Sequence, residues 1–464
     1  MKRILLILFV FMSVLSAKAQ EFPSLSYYEY LEYVKKNHPL VYQANNRAAS
    51  GIANATMARG DFDPKLSFEN NQKTFDGKEY FNQSNGSVSI PTWYGISLKG
   101  SYSQNEGVFL NPEEVLPANG LYSAGIEIDA SEGLWINKRM ATLKQAKFIV
   151  NQTNSERLLL LNELVFKASK AYFNWLLAYE NLQVNERYLK NSEQRFEGVR
   201  MRALQGDIAT IDTVESYTNV QQRMVELSQS KLDLIKARLE ASNFLWEKDN
   251  IPLEISKLAV PLPINKDEID QLLGIAEGVL DKFFLTRHPK LNVLQAKISV
   301  LEIDRSLKQA ALFPDLTVNF NLLQTNTNNF IPLNTDQYKA GVKVSLPLFL
   351  RKERGALKLS NLKISDAKWN LSYENIIIQN KVEQNLQAQD FLLDQFVITG
   401  KMIQNYDRLL KGEQQKFSEG ESSLFIVISR EQKLIEALIM KNNIENKYLN
   451  TKISLFNSMA LSIN

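Results

Sequence analysis

The sequence predicts a mainly helical α+β chain in which one plan is written twice: short helix, strands, very long helix, returning helix. Three observations carry that reading. Ordered matches recur at long spacing, short segments alternate apolar and polar residues, and the stretches 133–205 and 351–419 contain no proline. Helices of 73 and 69 residues would reach about 110 and 104 Å at 1.5 Å per residue, roughly six times the length of the usual three-turn helix.

The repeat is read from pairs. Asn37-His38-Pro39 returns as Arg287-His288-Pro289, and Asp63-Pro64-Lys65-Leu66 as Phe313-Pro314-Asp315-Leu316, both at an offset of 250. Tyr122-Ser123-Ala124-Gly125-Ile126 matches Tyr338-Lys339-Ala340-Gly341-Val342 at 216, and 202–209 matches 416–423 at 214. The offset falls because the first half carries a longer insert between its short and long helices. The first repeat is placed at 20–248, with strands at about 64–130 and a long helical hairpin at about 133–247. A proline-bearing linker follows at 249–265. The second repeat is placed at 266–464, with strands at about 314–347 and a hairpin at about 351–461. Both histidines precede proline, which suits the first position of a helix because its missing N–H costs nothing there; no chemistry is assigned to them.

Residues 1–19 read as a cleaved secretory signal. Lys2 and Arg3 are followed by an apolar run from Ile4 to Leu15 and an Ala17-Lys18-Ala19 cleavage site. The run is shorter than a spanning helix needs, and no later stretch reaches 18 apolar residues.

The strand segments keep a period of two. Tyr94, Ile96, Leu98, Gly100 and Tyr102 share one face; so do Tyr122, Ala124, Ile126 and Ile128. In the second half the sets are Leu316, Val318, Phe320 and Leu322, then Tyr338, Ala340, Val342, Val344 and Leu346. Serine, lysine, asparagine and glycine fill the alternate positions. Such a face meets a second sheet in a soluble sandwich, or lipid in a membrane barrel whose other face lines water. Alternation alone fits both.

The returning helices, about 208–246 and 422–461, repeat every seven residues. Ile211, Thr218, Val225, Leu232, Leu239 and Trp246 form one row, and Val220, Leu227 and Leu234 a second. In the other half Val427/Ile428, Leu434/Ile435, Tyr448/Leu449 and Leu455/Phe456 fall on the same repeat, the spacing of long helices packed as a coiled coil. Two rows on one helix imply neighbours on both sides, as in a closed helical cylinder.

Composition excludes several classes. The chain has 54 Lys+Arg against 51 Asp+Glu, and three of the bases lie in the leader, so the remainder is balanced. A nucleic-acid or anionic-surface binder calls for a basic excess. Cysteine is absent and only two histidines exist, which removes disulfides, thiolate chemistry and most metal sites. No phosphate loop or nucleophile elbow is present. Asp61-Phe62-Asp63 reads as a helix-to-strand turn. No catalytic, cofactor or metal residues are assigned.

Together these residues resemble the TolC family of bacterial outer-membrane efflux channels, over essentially all of 26–460. The resemblance rests on the ordered set: the duplicated plan, the His-Pro helix starts, Pro314-Asp315-Leu316 opening a strand, Val344-Ser345-Leu346-Pro347-Leu348-Phe349 closing one before a basic-starting helix, and Gly420-Glu421-Ser422-Ser423-Leu424 at a tip. It implies a homotrimer forming one 12-stranded outer-membrane β-barrel, four strands per protomer, continued by a long periplasmic α-helical barrel. It also implies a passive exit channel that works with a periplasmic adaptor (membrane fusion) protein and an inner-membrane transporter, in efflux or type I secretion. The lipid-facing residues would be Tyr94, Ile96, Leu98, Tyr122, Ile126, Ile128, Leu316, Val318, Phe320, Tyr338, Val342 and Val344. An exported, soluble coiled-coil scaffold or binding protein of the periplasm is the competing reading.

The family's tip pattern, Gly-x5-Asp-x-Val, stands in the first half as Gly206, Asp212 and Val214, with Glu215 adding a second carboxylate. Acids at a helix start are also favoured simply by the macrodipole. The second half departs: Gly420 is followed at the same spacing by Ile426, and Ser422 replaces the family's tip arginine. The expected closed gate is therefore apolar, through Leu424, Phe425 and Ile428, with the tips also serving as adaptor contacts. The insert reads as an extra hairpin around Pro91–Gly95, which either lengthens the sheet or adds strands to the barrel.

Overall fold

The computed structural model describes residues 24–129, 136–275, 288–325 and 335–461. The leader assigned to 1–19 lies outside them. In chain order the elements are β1 (Ser24–Leu25), α1 (Tyr27–Asn37), α2 (Pro39–Gly60), β2 (Lys65–Phe75), β3 (Lys78–Pro91), β4 (Ile96–Glu106) and β5 (Leu121–Asp129). Then come α3 (Lys138–Gln205), α4 (Thr210–Ser242), β6 (Trp246–Glu247), β7 (Ile251–Pro252), β8 (Val260–Pro261) and α5 (Lys266–Leu273). The last are α6 (Pro289–Ala310), β9 (Asp315–Gln324), β10 (Tyr338–Ser345), α7 (Arg351–Glu419) and α8 (Leu424–Met459). The plan of short helix, strands, long helix and returning helix is thus present twice. The chain divides into two compact units, one of 1–44, 158–284 and 377–464, the other of 45–157 and 285–376.

The first unit is helical around an aromatic core. Ser26 opens α1 with a capping box: its hydroxyl accepts from the Glu29 N–H at 3.2 Å, and Glu29 accepts from the Ser26 N–H at 3.0 Å. That fixes Tyr27 and Tyr30 inward. Tyr27 lies 5.0 Å from Phe173 and 5.4 Å from Tyr172 between ring centres, and Tyr172 meets Trp175 edge-on at 5.7 Å. Each buried hydroxyl finds a partner, as burial demands: Tyr27 with Ser169 at 2.7 Å, Tyr30 with the Ala241 carbonyl at 3.0 Å, Tyr172 with the Leu25 carbonyl at 2.8 Å. Burial pushes the Tyr30 phenol well above its ordinary range.

The stretch expected as a linker, 249–265, packs into this core instead. β7 pairs with β6, β8 pairs in parallel with β1, and Ile255 and Ala259 are buried. Pro252 and Pro261 each end a two-residue strand; they do not free the chain. The returning helix α4 accordingly ends at Ser242, and Trp246 belongs to β6.

The second unit holds a single antiparallel sheet of six strands, in the order β10-β9-β5-β4-β3-β2. The insert resolves as four consecutive strands against two in the second half. Asp76-Gly77, both at positive φ, make the tight β2–β3 turn, the backbone that an Asp-Gly pair favours. The β3–β4 turn is pinned by Thr92, which donates its hydroxyl to the Ile96 carbonyl at 2.7 Å, and by Asn137, whose amide donates to the Trp93 carbonyl at 3.0 Å. Asn137 also caps α3 by accepting from the Met140 N–H at 2.7 Å, and Phe62 stacks on Trp93 at 5.0 Å. Tyr94 therefore sits in this turn, exposed, and not in the strand, which starts at Ile96.

The two His-Pro starts have the same geometry. His38 Nδ1 accepts from the Leu40 N–H at 3.1 Å, and His288 Nδ1 accepts from the Lys290 N–H at 3.2 Å. A neutral imidazole thus satisfies a helix-start donor in each half.

Candidate channel wall and hairpin tips

The sheet register brings the alternating residues into rows. Ile96, Ile128, Val318 and Val342 form one row; Ile90, Leu98, Ile126, Phe320 and Ala340 form the next. Leu66, Val88, Gly100, Ala124, Leu322 and Tyr338 follow, and then Phe68, Gly86, Tyr102 and Tyr122. Leu316 opposite Val344 closes the other end. Across β4, β5, β9 and β10 this band is about 20 Å long at 3.4 Å per residue. Tyr102 and Tyr122 pack 4.6 Å apart at its limit, and Phe320 stacks on Tyr338 at 5.5 Å. Beyond the tyrosines the same face turns polar, through Asn70, Gln72, Asn82, Ser84 and Gln104. The band is uncovered on its apolar side: Leu66 is 83% exposed, Val342 70% and Leu98 46%.

The opposite face is polar and hydrogen-bonds to itself. Ser67 meets Ser87 and Ser101 meets Ser123, each at 2.7 Å; Lys99 pairs with Glu127 at 2.5 Å; Ser103 donates to Asn85 at 3.0 Å. Asn319, Asn321, Lys339 and Lys343 continue this face. One sheet therefore carries an exposed apolar side and a polar side, the division a barrel wall in a bilayer requires.

At the C-terminal ends of α3 and α7, both hairpins turn in the same way. Gly206 and Gly420 take φ of 82° and 81°, the left-handed conformation that closes a helix C-terminus and suits glycine. Asp207 N–H donates to the Arg202 carbonyl at 3.0 Å and Glu421 N–H to the Lys416 carbonyl at 2.8 Å. What surrounds the turns differs. In the first hairpin Phe196, Ala203, Leu204, Thr210, Thr213, Val214 and Tyr217 line an open groove of about 500 Å³, in which Phe196 and Tyr217 stand 5.2 Å apart. Val214 lies in this groove; Asp212 and Glu215 are half-buried on the same helix but do not line it.

In the second hairpin Leu424 and Val427 are buried, Val427 against Tyr188, Leu410, Leu434 and Phe417. Phe425 is 66% exposed and Ile428 half-buried. Leu424 is thus occupied in packing the hairpin and does not share a surface with Phe425. Ser422, standing in place of an arginine, donates its hydroxyl to the Glu413 carboxylate and ties the turn back to α7.

Between these hairpins lies an ionic cluster that the sequence reading missed. Glu431 is 1% exposed and accepts from Arg195 at 2.5 Å; Arg223, also 1% exposed, donates to Glu226 and to Gln432, both at 2.6 Å. The cluster joins α3, α4 and α8. A signal was available: Glu431 interrupts the apolar seam between Val427 and Leu434. Higher on α3, burial and then the neighbouring Glu445 push the Glu180 carboxyl up to about 7, with Lys441 opposing.

Among the described residues no group of acids and histidines could hold a metal ion, and no helix is long and apolar enough to cross a membrane. The latter says nothing of a β-barrel.

No family model matches the sequence. The probable outer-membrane lipoprotein SilC of Salmonella typhimurium is 21% identical over 327 residues, 68% of each chain. The Campylobacter jejuni CmeC outer-membrane channel superposes with a TM-score of 0.65 at 13% identity, covering 93% of this chain and 85% of that one. The Vibrio cholerae outer-membrane protein VceC gives 0.66 at 12%, covering 94% and 96%. The chain has the TolC-type outer-membrane channel fold.

Proposed function

We propose that this protein is the outer-membrane exit duct of a tripartite efflux or type I secretion system, assembled as a homotrimer. The observation that carries this reading is the two-sided sheet. Its apolar face is exposed over about 20 Å and ends in tyrosines, while its other face is polar. A soluble sandwich would cover that apolar face with a second sheet, and the described residues offer none.

Assembly is supported in the helical unit. On α4 the row Ile211, Val225, Leu232 and Leu239 lies exposed, and on α7 so do Phe391, Val397 and Ile398. Seven-residue rows on helices of this length call for partner helices, and copies of the same chain supply them without a new surface. A closed trimer also satisfies the strand edges, which lipid cannot. The channel does no covalent chemistry; an inner-membrane transporter and a periplasmic adaptor would load and open it. The groove at Phe196, Thr213, Val214 and Tyr217 is the surface we assign to the adaptor. At the tips we assign the closed constriction to Phe425, with Ile428 behind it, and leave Leu424 out because it is buried.

Envelope fractionation followed by planar-bilayer recording of detergent-purified protein tests the reading. A trimeric, conducting species in the outer membrane is the expected result. A periplasmic protein extracted without detergent and lacking conductance would make it a soluble scaffold. Phe425→Ala should raise the conductance of the resting channel; an unchanged value would remove Phe425 from the gate.

A further inference from the structure

We propose that the β-barrel closes by pairing β2 of each protomer with β10 of a second copy, so that three copies form an 18-stranded wall and not a 12-stranded one. This rests on the trimeric channel reading above and specifies its membrane pore.

The first support is the pair of open edges. Among the described residues β2 pairs only with β3, and β10 only with β9. Both are long, 11 and 8 residues, and both bear exposed apolar side chains: Leu66 and Phe68 on one, Val342 and Val344 on the other. Long apolar edges of this kind are covered in natural proteins. Because six strands alternate in direction, β2 and β10 run antiparallel, the sense in which a neighbouring copy can join them.

The second support is the stagger of the strand ends. Following the ladder from Lys65 leads through Ser89, Lys99, Gly125 and Asn321 to Lys339. Lys65 begins β2, yet Asn321 lies six residues into β9, and Lys339 six residues before the end of β10. The helix-side end of the sheet thus shifts by six residues over five strand-to-strand steps. With about 3.4 Å per residue and 4.8 Å between strands, that slope corresponds to a tilt of roughly 40°, inside the 35–45° of membrane barrels. The shift is carried through all six strands, β2 and β3 included. The extra hairpin therefore follows the slope of a barrel wall.

The third support is the β3–β4 turn. It returns to the helix-bearing end of the sheet, where Phe62 and Asn137 hold Trp93. To close with four strands per copy, β4 would have to release its ten paired residues on β3 and take β10 of the neighbour instead. Since barrel diameter grows roughly linearly with strand number, the six-strand closure gives a pore about half as wide again.

The chain has no cysteine, so engineered pairs report without background. Single changes on the hydrated face of β2 (Ser67→Cys, Glu69→Cys, Asn71→Cys) would each be combined with Lys339→Cys or Lys343→Cys on β10, and the detergent-purified protein oxidised with copper phenanthroline. A matching set would join Ser101→Cys or Ser103→Cys on β4 to the same β10 positions. Covalent dimers and trimers on denaturing gels from the β2–β10 set alone are the expected result. Cross-links from the β4–β10 set would overturn six-strand closure and leave the channel reading standing. A trimer with neither cross-link also overturns the closure. A monomer by native mass with neither overturns both.

Discussion

The two hairpin tips turn on the same backbone and present opposite surfaces. Gly206 and Gly420 close their helices alike, 214 residues apart. At that spacing Thr210 and Thr213 of the first hairpin correspond to Leu424 and Val427 of the second, and Phe196 and Tyr217 to Leu410 and Glu431. The threonines leave a groove open beside exposed Tyr217 and half-buried Phe196; the leucine and valine fill the equivalent space and bury the residue opposite. The strands repeat the lesson, four in one half and two in the other between matched His-Pro helices. What the halves share is the geometry that starts and ends helices. What they vary is the surface carried between those points.

The comparison can be broken most forcibly at position 431. Glu431→Ala strips the buried partner from Arg195 and should cost about 3–5 kcal/mol, read as thermal or denaturant unfolding of the detergent-solubilised protein. Tyr217→Ala at the equivalent, half-open place should cost clearly less. Equal losses would mean that the two hairpins are not differently packed.

Next in size is the wall. Leu98→Arg places a charge on the apolar face and should destabilise by about 2–4 kcal/mol if that face meets mid-bilayer lipid, seen as loss of folded trimer in outer-membrane fractions. Ser101→Arg on the hydrated face should assemble normally and change only conductance. Tolerance of arginine at Leu98 would place that face against water.

The shared turns should respond alike. Gly206→Val and Gly420→Val force a β-branched residue into the left-handed region, at about 1–2 kcal/mol each. Neither site has an atom within 4 Å of an added Cβ, so strain and not collision sets the cost. A difference of more than about 1 kcal/mol between the two melting curves, against that strain scale, would show that the tips share less than their backbone.

The smallest effect concerns the helix starts. His38→Ala and His288→Ala each remove a cap and should cost about 1 kcal/mol. At His38 burial holds the imidazole pKa below its ordinary value, so the unfolded chain binds the proton more readily. Its contribution is therefore complete above pH about 6.5 and fades as pH falls through the lowered folded value. The gap between the parent and His38→Ala in melting temperature should narrow from pH 7.5 to pH 5; a constant gap would deny the neutral cap.

Much of this was legible in the residues. A period of two marks Ile96–Tyr102 and Leu316–Leu322 as strands with one apolar face, and a proline-free run from 351 to 419 makes α7 unavoidable once helix begins. Such local patterns act through backbone sterics and side-chain spacing, which any short window displays. The joining of six strands into one sheet was not legible, because alternation says which face a residue takes but not which strand lies beside it. Asp76-Gly77 gave a turn signal that the reading passed over. The burial of Leu424, the packing of 249–265 and the Arg195–Glu431 pair were also hidden, since each depends on what another helix brings up.

The sequence by itself determined where helices start, where they stop and which side of each strand avoids water. These follow from prolines, glycines, caps and periodicity within a few residues. Only the tertiary structure decided that the extra hairpin joins the sheet, that one tip is open and the other filled, and that a cluster of charged side chains ties three helices together. Those outcomes depend on contacts between residues as far apart as Arg195 and Glu431, whose energies arise only when packing excludes water from between them.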